Sequence, residues 1–181
     1  AMHLSNFKIF YFISEFNPDH IIKIDKNINL IFRNYKKKFD DNFFKSLKNF
    51  CHSKKYKIYL ANNIKLAHSH GFDGAYLPSF NKKMNVIKNY RKNFKILGSA
   101  HNLKEILEKE KQRVDFLFIS PIFEKEGHKN LGLYKFMNLS KYAKCNVVAL
   151  GGINSLNIKK LKLIKINKFA SIKYIKSLYE K

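Results

Sequence analysis

Two stretches of the 181-residue chain place residue types at spacings that suit chemistry. The first is Gly151-Gly152-Ile153-Asn154, directly after the apolar run Val147 to Leu150. Glycines there let backbone N–H groups approach an anion, and an asparagine opening a helix would bring the positive end of the helix dipole beside it. This reads as a phosphate site; the bland alternative is a plain strand-to-helix turn. Ile172 and Lys173 open the expected last helix next to it, with Lys173 either adding a cation to the same phosphate or standing as one more solvated lysine. In the second stretch, Val114 to Ile119 runs into Ser120-Pro121-Ile122-Phe123. A polar loop, Glu124-Lys125-Glu126-Gly127-His128-Lys129-Asn130, then leads to Leu131-Gly132-Leu133. A polar loop containing glycine can act as a lid over a catalytic face. His128 is the histidine best placed there to work as acid or base, against the bland reading of a solvated imidazole.

The elements that must position these groups follow from hydrophobic period. Short β-branched or aromatic runs recur at Lys8 to Ile13, Ile28 to Phe32, Lys57 to Ala61, Gly74 to Leu77, Lys95 to Gly98, Phe116 to Ile119, Val147 to Leu150 and Lys168 to Ala170. Between them lie helical patterns: Asp41 to Cys51 puts Phe43, Phe44, Leu47, Phe50 and Cys51 on one face, and Asn63 to His70 does the same for Ile64, Ala67 and His70. Asn102 is an expected N-cap with Glu105 three residues on, close to a capping box, and Asn154 is expected to repeat the role before a helix over Leu156 to Ile164. Eight strand-helix units predict an α/β fold with a parallel sheet, closed as a small (β/α)8 TIM barrel in one domain over residues 1–181. The alternative is an open doubly wound sheet. All seven glycines fall at expected strand ends, helix ends or loops. In such a barrel, chemistry sits at the C-terminal ends of the strands, and phosphate is often held after strands seven and eight.

The chain carries 36 Lys and Arg against 13 Asp and Glu, for a net charge of +23, which invites a nucleic-acid reading. Only Arg33, Arg91 and Arg113 are arginine, whereas nucleic-acid readers lean on arginine for bidentate and stacking contacts, so nucleic acid is not expected as a partner. The lysine excess, alongside abundant Asn, Ile and Phe, is read as compositional drift toward A/T-rich codons. Cys51 and Cys145 share no motif with each other or with a histidine and are expected to be packing residues. No apolar run approaches the roughly 18 to 20 residues of a membrane span, and no secretory pattern opens the chain, so a cytoplasmic location without a membrane partner is expected. Ala1 before Met2 reads as a cloning remnant.

Four segments in order and spacing resemble one family. They are Gly71-Phe72-Asp73-Gly74-Ala75-Tyr76-Leu77, Ile96-Leu97-Gly98-Ser99-Ala100-His101, Asp115 to Phe123, and Ala149-Leu150-Gly151-Gly152-Ile153-Asn154. Together they resemble the thiamine phosphate synthases and their thiazole tautomerase branch, over roughly residues 7 to 175. The resemblance implies a (β/α)8 barrel that handles a thiazole phosphate and, in synthases, joins it to a pyrimidine pyrophosphate with Mg2+.

What the resemblance implies for single residues is uneven. The synthase clamp Gln-x-Arg-x-Lys corresponds to Ile31-Phe32-Arg33-Asn34-Tyr35, keeping only Arg33, with Lys36, Lys37 and Lys38 following. The two acidic Mg2+ positions correspond to Asn62 and Asn81, so no metal ligand is assigned and Mg2+, expected for the family, is doubtful here. The serine after strand five is kept as Ser99. The phosphate-binding Pro-Thr-x-Thr-Lys corresponds to Glu124-Lys125-Glu126-Gly127-His128, which loses two hydroxyls, and a tautomerase histidine corresponds to Pro121. The glycine-rich turn near strand eight reads Lys168-Phe169-Ala170.

Phosphate or substrate contacts therefore fall to Arg33, Lys125, Gly151, Gly152, Ile172 and Lys173, and acid-base candidates are Ser99 and His128. The expected function is binding of a phosphorylated thiazole or related heterocycle, with tautomerase-like or residual synthase activity. The other reading is a non-enzymatic barrel recruited to polyanions through its lysines. A homo-oligomer stays open.

Overall fold

The structure, a computed structural model, describes residues 4–84, 90–124 and 129–179. Eight strands run β1 (Lys8–Ile13), β2 (Asn29–Phe32), β3 (Ile58–Ala61), β4 (Gly74–Leu77), β5 (Lys95–Ala100), β6 (Phe116–Ile119), β7 (Asn146–Leu150) and β8 (Lys168–Ala170). Each pairs in parallel with the next, and β8 returns to β1 with Lys8 opposite Lys168. That last pairing closes the barrel and excludes the open doubly wound sheet. Helices α1 (Pro18–Ile21), α2 (Asp41–Ser53), α3 (Ile64–Ser69), α4 (Leu103–Lys111), α5 (Gly132–Ser140), α6 (Lys159–Leu163) and α7 (Lys173–Tyr179) lie between and after the strands.

Side-chain alternation along each strand builds two cores. Facing the axis are Phe10, Phe12, Ile31, Tyr59, Tyr76, Leu97, Phe116, Phe118, Val148 and Ala170, while the opposite strand faces join the helices in a second, larger cluster. Aromatic rings from β1, β4 and β6 interlock edge to face inside the barrel, with Phe10 and Phe118 centroids 5.0 Å apart and Phe12 and Tyr76 5.1 Å apart, and Tyr59 on β3 tilts against Phe10. Such pairs add about 0.5–1.5 kcal/mol each beyond their buried area. Smaller side chains on β2, β5, β7 and β8 make room for them.

The helix expectations hold where a cap supports them. Asp40 accepts the Phe43 N–H at the start of α2 (2.8 Å), and Asn102 accepts the Glu105 N–H at the start of α4 (3.0 Å). Glu105 turns back to the His101 N–H at 2.7 Å, one residue earlier than a capping box would.

Two expectations fail. Asn154 does not open a helix over Leu156 to Ile164: its side chain accepts the N–H groups of Leu156 and Asn157 in a turn, and α6 starts only at Lys159, with no side-chain cap. Asparagine side chains stabilise such turns as readily as helix starts, and here the turn wins. Nor does β5 end at Gly98; it continues to Ala100. Gly98 is a mid-strand glycine because α4 packs against it: a Cβ would stand 2.8 Å from Val114 Cγ1 and 2.9 Å from Lys109 Cδ.

Cys51 is buried and Cys145 half-buried, both free, and burial pushes each thiol up to about 12, as packing residues rather than reactive ones. Among the described residues no helix is long and apolar enough to cross a membrane.

Candidate functional site

The C-terminal strand ends gather the groups the sequence singled out into two neighbouring sets. The first lies over β2 to β5. Arg33 follows β2 immediately, its N–H donating to Ile13 O at 2.8 Å, and its guanidinium carbon lies 4.3 Å from the centroid of the Phe12 ring. The aromatic face attracts the guanidinium cation and holds the fork against it. The Tyr76 phenol, fully buried on β4, interacts with both Ser99 on β5 and Arg33. Burial, outweighing the contacts with Ser99 and Arg33, pushes the Tyr76 pKa up, so the phenol stays protonated. Tyr35 sits at the clamp position where the family resemblance implies lysine. Burial first, then neighbouring Tyr76, pushes its phenol up to about 12. Its ring meets Phe80 edge to face at 5.8 Å at the rim, where Tyr35 is half exposed and Phe80 exposed.

Asn62 and Asn81 come together directly: Asn81 Nδ2 donates to Asn62 Oδ1 at 2.8 Å. Asn62 stands in the left-handed region (φ 62°), which asparagine tolerates, and its N–H donates to Tyr76 O at 2.7 Å. Asn81 Oδ1 accepts the Lys83 N–H at 3.0 Å. Two neutral amides thus satisfy one another at the two positions that the resemblance ties to Mg2+. Beneath this loop, the buried Lys109 Nζ donates to Asn81 O at 2.7 Å, Pro78 O at 2.9 Å and Gln112 Oε1 at 2.9 Å. Among the described residues no group of three His, Cys, Asp or Glu could hold a metal.

The second set lies over β6 to β8. Ile122 N–H donates to Leu150 O at 2.9 Å and Phe123 N–H to Gly151 O at 3.1 Å, so the segment after β6 lies along the turn after β7. This contact explains the glycine pair. A Cβ on Gly152 would meet Glu124 O at 2.4 Å and Phe123 O at 2.6 Å, one on Gly151 would meet Pro121 Cα at 2.7 Å, and both residues have positive φ. Gly152 O accepts from Asn157 Nδ2 at 2.8 Å. Ser171, buried after β8, links the two turns through its hydroxyl, 3.4 Å from Ile153 O and 3.3 Å from the Tyr174 N–H it accepts. Ile172 and Lys173, which follow Ser171, are both exposed. The α6 dipole, expected at this place, is not there, because the turn over residues 155–158 intervenes. Lys125 and His128 lie outside the described residues.

Of the residues singled out in the sequence, the structure brings Arg33, Ser99 and the glycine pair to the C-terminal strand ends; Tyr76, Tyr35, Lys109, Gln112 and Ser171, which surround them, were not singled out. Period-2 alternation from Gly74 would have turned Tyr76 inward, and Tyr35 stands in the quoted clamp segment; nothing local marks Lys109.

The sequence profile of the family described as thiamine monophosphate synthase matches residues 30–175. A thiamine-phosphate synthase of Methanococcus maripaludis is 30% identical over 105 residues, covering 56% of this chain and 51% of that protein. The chain thus spans about half the length of the curated relative it matches. Among solved structures, thiamine phosphate pyrophosphorylase from Pyrococcus furiosus superposes with a TM-score of 0.72 at 20% identity, covering 93% of this chain and 87% of that one. FabK from Thermotoga maritima gives the same TM-score of 0.72 at 9% identity, covering 96% of this chain and 61% of that one. Barrel shape alone therefore does not separate chemistries.

Proposed function

Because the chain belongs to the thiamine monophosphate synthase family, we propose that its C-terminal face binds a phosphorylated thiazole or related heterocycle, with the Mg2+-pyrophosphate half of the synthase site degenerate. The observation that carries this reading is the bond between Asn81 Nδ2 and Asn62 Oδ1. Mg2+ is held through carboxylates and substrate phosphates in near-octahedral geometry. The two amides carry no charge, and each is already committed, so the residues present do not fit that ion. The anchor side is different in kind. Glycines are forced at positions 151 and 152 by the backbone of Pro121 to Glu124, and Ser171, bonded to Ile153 O, opens the segment that carries the exposed Lys173.

The surviving groups suit proton transfer better than pyrophosphate displacement. A tautomerase-like step needs a phosphate anchor and one positioned acid or base, worth roughly 100- to 10,000-fold in rate. Ser99, in contact with a phenol that burial keeps protonated, can hold or pass a proton at its Oγ, and His128 is the further candidate. Residual synthase activity would lean on Arg33 and on Lys36, Lys37 and Lys38 to neutralise departing pyrophosphate. Lysines are flexible point charges that give no bidentate fork. Recruitment to a polyanion by a lysine face gains no support from the helices, since lysines occur on α2, α4, α5, α6 and α7, all around the barrel.

Isothermal titration with thiazole phosphate carboxylate is expected to give saturable binding that Lys173→Ala weakens and Gly152→Asp abolishes. Circular dichroism separates lost binding from lost folding in the glycine variant. Absence of heat with every thiazole phosphate overturns the reading. In the coupled assay, pyrimidine pyrophosphate plus thiazole phosphate should yield little product, unchanged by chelation; Mg2+-dependent turnover would show that the amides are no impediment.

A further inference from the structure

The opposite, N-terminal mouth of the barrel carries a charge pattern that the reading above does not use. Residues two apart share a strand face. Lys8 therefore lies one step below Phe10, Lys57 below Tyr59, Lys95 below Leu97 and Lys168 below Ala170, all four upper residues belonging to the interior cluster. Lys8 and Lys168 are direct partners across the β1–β8 ladder. Lys8 Nζ stands 4.4 Å from the centroid of the Phe116 ring, which floors this mouth. Burial, then the charges of Lys57, Lys168 and Lys95, pull the Lys8 pKa below the ordinary lysine value. Two carboxylates stand nearby: Asp115 holds Lys95 at 3.0 Å, and Asp73 is engaged by the His52 ring at 3.0 Å and the Ile58 N–H at 2.9 Å. Against β1 and β8, beside the mouth, a cavity of about 240 Å³ is lined by Asn6, Phe7, Lys162, Lys165, Ile166 and Asn167, which adds two more ammonium groups.

A barrel's N-terminal face ordinarily serves stability, yet like charges directly opposite on neighbouring strands destabilise. A ring of cations at one opening becomes favourable when an anion occupies it, since a ligand stabilises the folded chain it binds. We propose that the N-terminal mouth is a binding site for a small multivalent oxyanion of the phosphate or pyrophosphate type, held by Lys8, Lys57, Lys95 and Lys168. Strand parity puts these four lysines at the inward-facing positions of the N-terminal rim; Lys95 Nζ now rests on Asp115 Oδ1 and Lys168 Nζ on Asn167 Oδ1, each at 3.0 Å, and both would turn from these neutral or shared partners to a multivalent anion in the mouth.

Inorganic pyrophosphate titrated at low ionic strength into wild type, Lys8→Gln/Lys168→Gln and Arg33→Gln tests the site. The lysine variant is expected to lose about tenfold or more in affinity for this site, while Arg33→Gln, altered only at the C-terminal face, retains it. Without anion, the lysine variant is expected to unfold at a higher temperature than wild type, because repulsion is relieved. Equal affinity in wild type and the lysine variant overturns the proposal, as does a lower unfolding temperature of the anion-free variant, which would mark a structural plug. A single-stranded oligonucleotide that outcompetes pyrophosphate at these lysines would overturn it in favour of a macromolecular polyanion.

Discussion

The double substitution Asn62→Asp/Asn81→Asp is expected to convert the amide pair at the C-terminal face into a Mg2+ site and, without metal, to destabilise the protein. The two side chains already meet at 2.8 Å, so two carboxylates would replace a donor-acceptor pair with two like charges. At about 4 Å that repulsion is worth about 1 kcal/mol in bulk water and about 4 at an effective dielectric of 20, and the exposed rim places it toward the lower figure. Either single substitution is mild by comparison. Asn62→Asp leaves an acceptor facing the Asn81 amide, and aspartate tolerates the left-handed backbone at position 62. Asn81→Asp keeps an acceptor for the Lys83 N–H, and the Asn62 amide can turn its NH2 toward the new carboxylate. Only the double variant should respond to Mg2+, its unfolding temperature climbing as bound metal adds about 2.7 kcal/mol of stability at a hundredfold excess over Kd. Thermal unfolding of all four proteins across a Mg2+ series reads this directly. A wild type as responsive as the double variant would show that the amides hold the ion after all.

How far the site could be read from sequence depends on whether a residue's role is local. β1, β4, β6 and β8 match their expected ranges to the residue, because an apolar run bounded by polar or glycine residues is all a buried parallel strand requires. The weak, three-residue β8 was legible only by counting units, and closure of the barrel supplies its support. The glycines at 151 and 152 were legible as a close approach, although the approaching group within the protein, the backbone of Pro121 to Glu124, belongs to another loop. Asn154 misled because one side chain serves a helix cap and a turn equally well, and the choice was made by Asn157, whose carboxamide answers it from three residues on. The contact of Tyr76 with Ser99 and Arg33 joins β4, β5 and the residue after β2, and has no signature in any one of these segments.

Lys109 illustrates the same limit and carries the largest expected effect on stability. Lys109→Met is expected to cost about 3–5 kcal/mol, the magnitude of breaking a buried charged network at one partner. The side chain is fully buried, packed under Gly98, and its three N–H bonds tie α4 to Pro78 O and Asn81 O of the loop after β4 and to Gln112. Methionine fills the same space without a donor. Asn81 O would keep the Gln112 amide at 3.0 Å, while Pro78 O would lose the ammonium. Urea unfolding of the two proteins measures the cost, and a loss below about 1 kcal/mol, the range of an ordinary surface change, would show that water replaces the ammonium. The pH dependence has a definite sign. Burial, outweighing the opposing charges of Glu108 and Glu105, pulls the Lys109 pKa from 10.5 to about 8. Between those values the unfolded chain binds the proton and the folded chain releases it, so wild-type stability from this group rises with pH across the window. The gap between wild type and Lys109→Met should therefore be wider at pH 10 than at pH 7. A gap that narrows instead would mean that the three acceptors outweigh burial and hold the ammonium charged, making Lys109 a permanent cation beneath the Asn81 loop.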